Sequence, residues 1–383
     1  MKIVIAMDSF KGSLSSLQAG HAAAEGFRRA DPDVETIVRP LADGGEGTVE
    51  ALVYGMGGTP RTVRVTGPVG TPVECVYGII GASGTAVIEM SGAAGIALVP
   101  REKLNPLTAT TYGVGEVIAD AIRQGCRRFI VGIGGSATND GGVGMLQALG
   151  YEFLDAAGRQ IPQGAQGLRE LAEIRTSNSI PELADCSFRV ACDVQNPLCG
   201  PQGASAVFGP QKGATPEMVE ELDLLLANYA KTVQQQVCPR ADSTAPGTGA
   251  AGGMGFAFLA FTHAALTPGI RIVLEEMRME DLIKEADLVV TGEGQLDAQT
   301  AMGKAPYGVA QLAKRYGKPV IALAGCVAPG AETANNFGID AFFPVLRRVV
   351  TSAEAMRQDI AAENIRAAAE QVLRLVLAVS AGV

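Results

Sequence analysis

Five short segments place glycines beside a carboxylate, a hydroxyl or a lysine after an apolar run. They are Asp8-Ser9-Phe10-Lys11-Gly12-Ser13, Asp43-Gly44-Gly45-Glu46-Gly47-Thr48, Gly134-Gly135-Ser136-Ala137-Thr138-Asn139-Asp140-Gly141-Gly142, Gly209-Pro210-Gln211-Lys212-Gly213 and Gly292-Glu293-Gly294-Gln295-Leu296-Asp297. Taken singly, each is more often a tight turn with helix caps. Together they supply a chemistry. Glycine amides at helix N-termini can cradle phosphate. Carboxylates can hold Mg²⁺ or take a hydroxyl proton, and lysine can neutralise charge on a transferring phosphoryl group. These are the parts of phosphoryl transfer without a P-loop.

Competing site chemistries fare worse. The P-loop pattern is missing: Gly303-Lys304 is followed by Ala305, and Ala298 stands where the first glycine belongs. Gly247-Thr248-Gly249-Ala250-Ala251-Gly252 has dinucleotide-binding spacing but follows Ser243-Thr244-Ala245-Pro246 rather than a strand. Gly132-Ile133-Gly134-Gly135-Ser136-Ala137 does follow a strand, with Asp155 as its acidic ribose partner. That keeps an NAD-dependent dehydrogenase of a small hydroxy acid as the rival enzyme class. A non-catalytic sugar-acid-binding protein is the rival binding class. A serine hydrolase is excluded, because no Gly-x-Ser-x-Gly elbow occurs and His21 and His263 are poorly placed. Both histidines read as structural or surface residues.

Composition narrows the field further. The 383 residues carry 31 Lys+Arg against 40 Asp+Glu, a net charge of −9, and no Trp. Nucleic-acid binding rests on basic stripes and stacking platforms, so it is not expected. The seven cysteines form no C-x-x-C pair and read as reduced thiols of a cytoplasmic protein. Asp8 interrupts the first apolar run too early for a secretory segment, and no run is long enough for a membrane span.

The elements that must position these segments read as α/β. Strand, loop and helix alternate from Lys2 to Leu52 and again after Ala286, which predicts a parallel sheet. Ser13 is the expected cap of the first helix, and Ala286 to Thr291 the strand ending at Gly292-Glu293-Gly294. Between them, Thr62 to Thr66, Val73 to Ile80 and Thr85 to Met90 predict an antiparallel or mixed sheet. Residues 155–186 are weakly patterned. The pattern gives a domain of residues 1–58 plus 270–383 with residues 59–269 inserted, and the cleft between the two is the expected ligand site.

The same loops resemble those of the bacterial type-1 glycerate kinases. So do Asp193-Val194-Gln195-Asn196-Pro197-Leu198, Val207-Phe208-Gly209 leading into Lys212, and Gly303-Lys304-Ala305-Pro306. The matches run in family order from residue 8 to about 325. The resemblance implies a Rossmann- or flavodoxin-like α/β domain with a second α/β domain inserted. It implies ATP and Mg²⁺ as cofactors and phosphorylation of D-glycerate, commonly to 2-phosphoglycerate. The residues themselves do not choose between the 2- and 3-hydroxyl, and a homo-oligomer is allowed.

Site residues are assigned with the resemblance in hand. Asp8, Ser9, Lys11, Asp43, Gly44 and Gly45 are expected to bind substrate, with Lys11 on the carboxylate or a phosphate. Asp193 is the expected general base and Asp43 its rival. Gly134, Gly135, Ser136, Thr138, Asn139, Asp140, Lys212, Glu293 and Lys304 are expected at nucleotide phosphates. Glu293 and Asp297 are the expected metal ligands.

Overall fold

The computed structural model describes residues 1–297 and 305–380. The chain divides into two compact units. One comprises Met1–Asp43, Glu50–Met56 and Ile270–Val383, the other Gly44–Val49 and Gly57–Gly269.

The first unit is built on a parallel sheet of five strands. Ala341–Pro344, Val320–Val327, Leu288–Leu296, Lys2–Met7 and Glu35–Val38 lie side by side in that order. Ile3 to Met7 are completely buried, as expected of a parallel strand covered on both faces. The chain leaves Lys2–Met7 for Glu35–Val38 on one side, and Leu288–Leu296 for Val320–Val327 on the other. Right-handed crossovers then put their connecting helices, Ser16–Ala30 and Ala305–Arg315, on opposite faces.

Two local expectations are corrected. The cap of helix Ser16–Ala30 is Ser15, whose side chain accepts from Gln18 N while Gln18 returns the bond to the Ser15 amide. Ser13 instead closes the preceding turn, its amide donating to Phe10 O at 2.8 Å. The strand expected to end at Thr291 continues through Gly292-Glu293-Gly294-Gln295 to Leu296. Gly292 is needed there because a Cβ would lie 2.1 Å from the Leu323 carbonyl oxygen.

The second unit holds a mixed six-stranded sheet. Ala264–Thr267, Ser187–Ala191, Arg128–Gly132 and Thr85–Glu89 are mutually parallel, and Pro72–Ile80 and Thr59–Thr66 extend them antiparallel. Phe129 stacks on Phe188 across neighbouring strands, with ring centroids 4.7 Å apart. The weakly patterned stretch contributes Glu173–Arg175, which pairs with Glu152–Leu154 in a two-stranded ribbon.

Candidate active site

In doubly wound sheets ligands bind at the carboxyl ends of the strands, where the chain direction of travel reverses. In the first unit that place is between Lys2–Met7 and Leu288–Leu296. A cavity of about 550 Å³ opens there, within the range of sites that hold small metabolites. Asp8, Ser9 and Lys11 line it from the loop after the first strand, Asp43 from the loop after the second, and Glu293 and Asp297 from the end of Leu288–Leu296.

Asp8 is strongly perturbed in this cavity. Burial, together with the charges of Asp43 and Glu293, pushes its carboxyl up to about 7. The Ser9 amide, donating to Asp8 Oδ1 at 2.7 Å, and the charge of exposed Lys11 pull it partly back. A carboxyl poised near neutrality in a cavity is suited to take a proton from a substrate hydroxyl. Sequence alone gave Asp8 only a binding role, because nothing in the local motif reveals that Asp43 and Glu293 stand beside it.

Glu293 is buried in its strand and Asp297 lies one residue past the strand end. Their even spacing puts them on one side of the backbone. The carboxylates that gather are Asp8, Asp43 and Glu293, close enough to raise Asp8. Among the described residues no three His, Cys, Asp or Glu side chains converge to hold a metal ion by themselves. A donor set of this kind fits Mg²⁺, which keeps most of its waters and completes its shell with substrate phosphates. Lys304 lies outside the described residues.

In the second unit, the loop after Arg128–Gly132 is divided. Gly134 and Gly135 are exposed, whereas Thr138, Asn139 and Asp140 are fully buried and Ser136 nearly so. Lys212 is sealed beneath them. Its Nζ donates to Ser136 Oγ at 2.7 Å and to Thr138 O at 2.6 Å, and burial pulls its pKa down to about 7. Asp140 accepts from Thr111 N and Oγ1 and from the Gly142 and Gly144 amides, while burial raises its carboxyl. These charges pin the loop from inside. Gly132 lets the loop at residues 43–48 lie against this strand, since a Cβ there would meet Gly44 O at 2.3 Å.

Gly44 and Gly45 belong to that same loop, which Glu89 organises. The Glu89 carboxylate accepts from Val49 N at 2.7 Å, at the start of helix Thr48–Met56. Glu89 sits on a strand with no motif around it, so sequence gave it no role. Asp193, just past Ser187–Ala191, is exposed and its Oδ1 accepts the Gly269 amide at 3.0 Å.

The nicotinamide reading loses its supports. Asp155 is committed to Arg159, whose backbone and side chain hold its carboxyl below the usual range. At Gly247–Gly252 no strand precedes the glycines: a turn leads into helix Ala250–Phe261 with Ala251, Gly252 and Gly253 left-handed. His21 is exposed on its helix, edge-on to Tyr54, and His263 is also exposed. None of the seven cysteines is in a disulfide. Among the described residues no helix is long and apolar enough to cross a membrane.

The first unit is therefore a doubly wound α/β unit with an acid-lined cavity at its switch point, joined in one chain to a mixed-sheet α/β unit. Comparison with known proteins places this architecture. The model of the glycerate kinase family matches residues 3–377, and the chain belongs to that family. It is 47% identical over 375 residues to the glycerate kinase of Haemophilus influenzae, covering 98% of each chain. It is 48% identical over 357 residues to the glycerate 2-kinase of Escherichia coli K12, covering 93% of each. A crystal structure of a glycerate kinase 2 candidate from Salmonella typhimurium LT2 superposes with a TM-score of 0.91 at 48% identity, covering 99% of both chains.

Proposed function

We propose that this protein transfers the γ-phosphoryl group of ATP to the 2-hydroxyl of D-glycerate, giving 2-phosphoglycerate and ADP. The observation that carries the mechanism is the Asp8 carboxyl, held near neutrality at the switch point with Lys11 close by. In this mechanism Asp8 accepts the hydroxyl proton as the oxygen attacks the γ-phosphorus, and the bond to the β-phosphate oxygen breaks. Lys11 pairs with the glycerate carboxylate, and Ser9 orients the substrate. Asp43 and Glu293 would hold a hydrated Mg²⁺ that arrives with the nucleotide, leaving the proton to Asp8. That ion would supply charge neutralisation for the phosphates.

In the second unit, the exposed amides of Gly134 and Gly135 are assigned to phosphate, and the buried Lys212 and Asp140 to holding that turn in shape. Asp193 is the rival for the base. The reaction belongs to a soluble enzyme of the cytoplasm.

Phosphorus NMR of the product from D-glycerate, ATP and Mg²⁺ tests activity and position together. Phosphate on C2 couples to one carbon-bound proton and appears as a doublet. A triplet would place it on C3, and an unchanged ATP spectrum would reject the function.

A further inference from the structure

Glycerate has only three carbons and four oxygens, far too little to fill a cavity of about 550 Å³. The part of the wall not yet used has a different character. Val345, Leu346 and Val350 follow the edge strand Ala341–Pro344, and Ala355 and Met356 come from the short helix after them. This wall reaches the substrate loop, since a Cβ on Gly12 would lie 2.6 Å from Met356 Cε. Aliphatic groups and a thioether make an apolar wall suited to an aromatic ring. Helix Gln358–Ser380 closes it with Ala361 and, three residues on and on the same helix face, Asn364. The Asn364 side chain makes no hydrogen bond with any described residue.

We infer that this wall is the seat of the nucleotide base and that Asn364 reads it as adenine. The inference rests on the ATP-dependent reading above and locates its second substrate. A carboxamide offers one acceptor and one donor side by side, which matches the N6 amino group and N7 of adenine. Guanine presents two acceptors, O6 and N7, at the same edge and leaves the carboxamide oxygen facing an acceptor. With the base against Met356 and Leu346, the triphosphate is directed toward the acidic residues of the same cavity, where Asp8 and Lys11 stand.

Two measurements test this. Asn364→Leu removes both hydrogen-bonding groups from a half-buried position. It is expected to raise KM for ATP by roughly tenfold to a hundredfold and to leave KM for glycerate within about twofold. The wild type is expected to prefer ATP to GTP, and the variant to lose most of that preference. Photolabelling of the wild-type protein with 8-azido-ADP gives a readout that needs no variant to fold. It is expected to mark a peptide within residues 345–364, with labelling blocked by ATP. If the wild type turns over ATP but Asn364→Leu keeps its KM and base preference, the base seat is wrong and the kinase reading stands. Labelling confined to residues 134–142 or 209–213 would say the same. A wild type that neither binds nor consumes ATP overturns both.

Discussion

The loops at residues 8–13 and 134–142 share one plan, an apolar parallel strand, a polar glycine-containing turn and then a helix, yet they put their charges to opposite uses. After Lys2–Met7, Asp8 faces a cavity beside like charges and has one short amide bond to steady it. After Arg128–Gly132, Asp140 has four donors, and Lys212 is spent on an internal hydroxyl and a carbonyl. Both regions contain strongly shifted groups, Asp8 and Lys212 each sitting at about 7. A shifted pKa therefore does not by itself mark chemistry. What separates the two is whether the group opens on a space where a substrate can reach it.

The sharpest way to break this comparison is to neutralise Asp8. Asp8→Asn keeps the volume and removes the proton acceptor, so kcat should fall by roughly 10²–10⁴-fold. The same change should stabilise the fold. Asp8 has its pKa raised from 3.8 to about 7, so the folded state binds the proton more tightly than the unfolded chain. Its contribution is favourable at low pH and is lost as pH rises through that window. At pH 8 the variant should be more stable by up to roughly 4 kcal/mol, and at pH 3 by nothing. Denaturant melts at the two pH values check this, and a variant that is inactive but no more stable would remove the strain from the account.

Lys212 should behave in the reverse sense. Lys212→Met leaves Ser136 Oγ and Thr138 O without their donor, and should cost roughly 1–3 kcal/mol near pH 10, where the buried amine is neutral, and less as the pH falls toward 7. Because the folded-state pKa is depressed from 10.5 to about 7, the unfolded chain binds more protons between those values. Wild-type stability gains a rising slope with pH across that range, and the variant should lack it. Urea melts from pH 7 to 10 would show the slope, and an equal slope in both proteins would count against it.

The smallest effect is expected at the exposed Lys11. Lys11→Ala should raise KM for glycerate by about tenfold, with kcat and KM for ATP little changed and melting unaffected. A larger loss in kcat than in glycerate affinity would move Lys11 from the carboxylate to the transferring phosphate.

Much of the first unit was legible in its sequence because buried parallel strands are continuous apolar runs, as at Lys2–Met7 and Val320–Val327. The strand Leu288–Leu296 was cut short because two glycines flank Glu293, and glycine usually signals a turn. Here the glycines serve close strand packing, which no local pattern states. The cap at Ser15 was visible as Ser-x-x-Gln, but the earlier Ser13 masked it. The aliphatic wall at residues 345–361 carried no signal, since a Leu or Met lining a site looks like one in a core. The sealing of Lys212 and the charge on Asp8 depend on partners far away in sequence, Ser136 in one case and Glu293 in the other.

The central claim is that the proton acceptor is Asp8, and the pH dependence of kcat/KM for glycerate tests it most directly when compared among wild type, Asp8→Asn and Asp193→Asn. The account predicts a rising limb with its midpoint at or below about 7 in the wild type, kept by Asp193→Asn and missing from a nearly inactive Asp8→Asn. A rising limb that survives in Asp8→Asn and vanishes in Asp193→Asn would contradict it and make Asp193 the base.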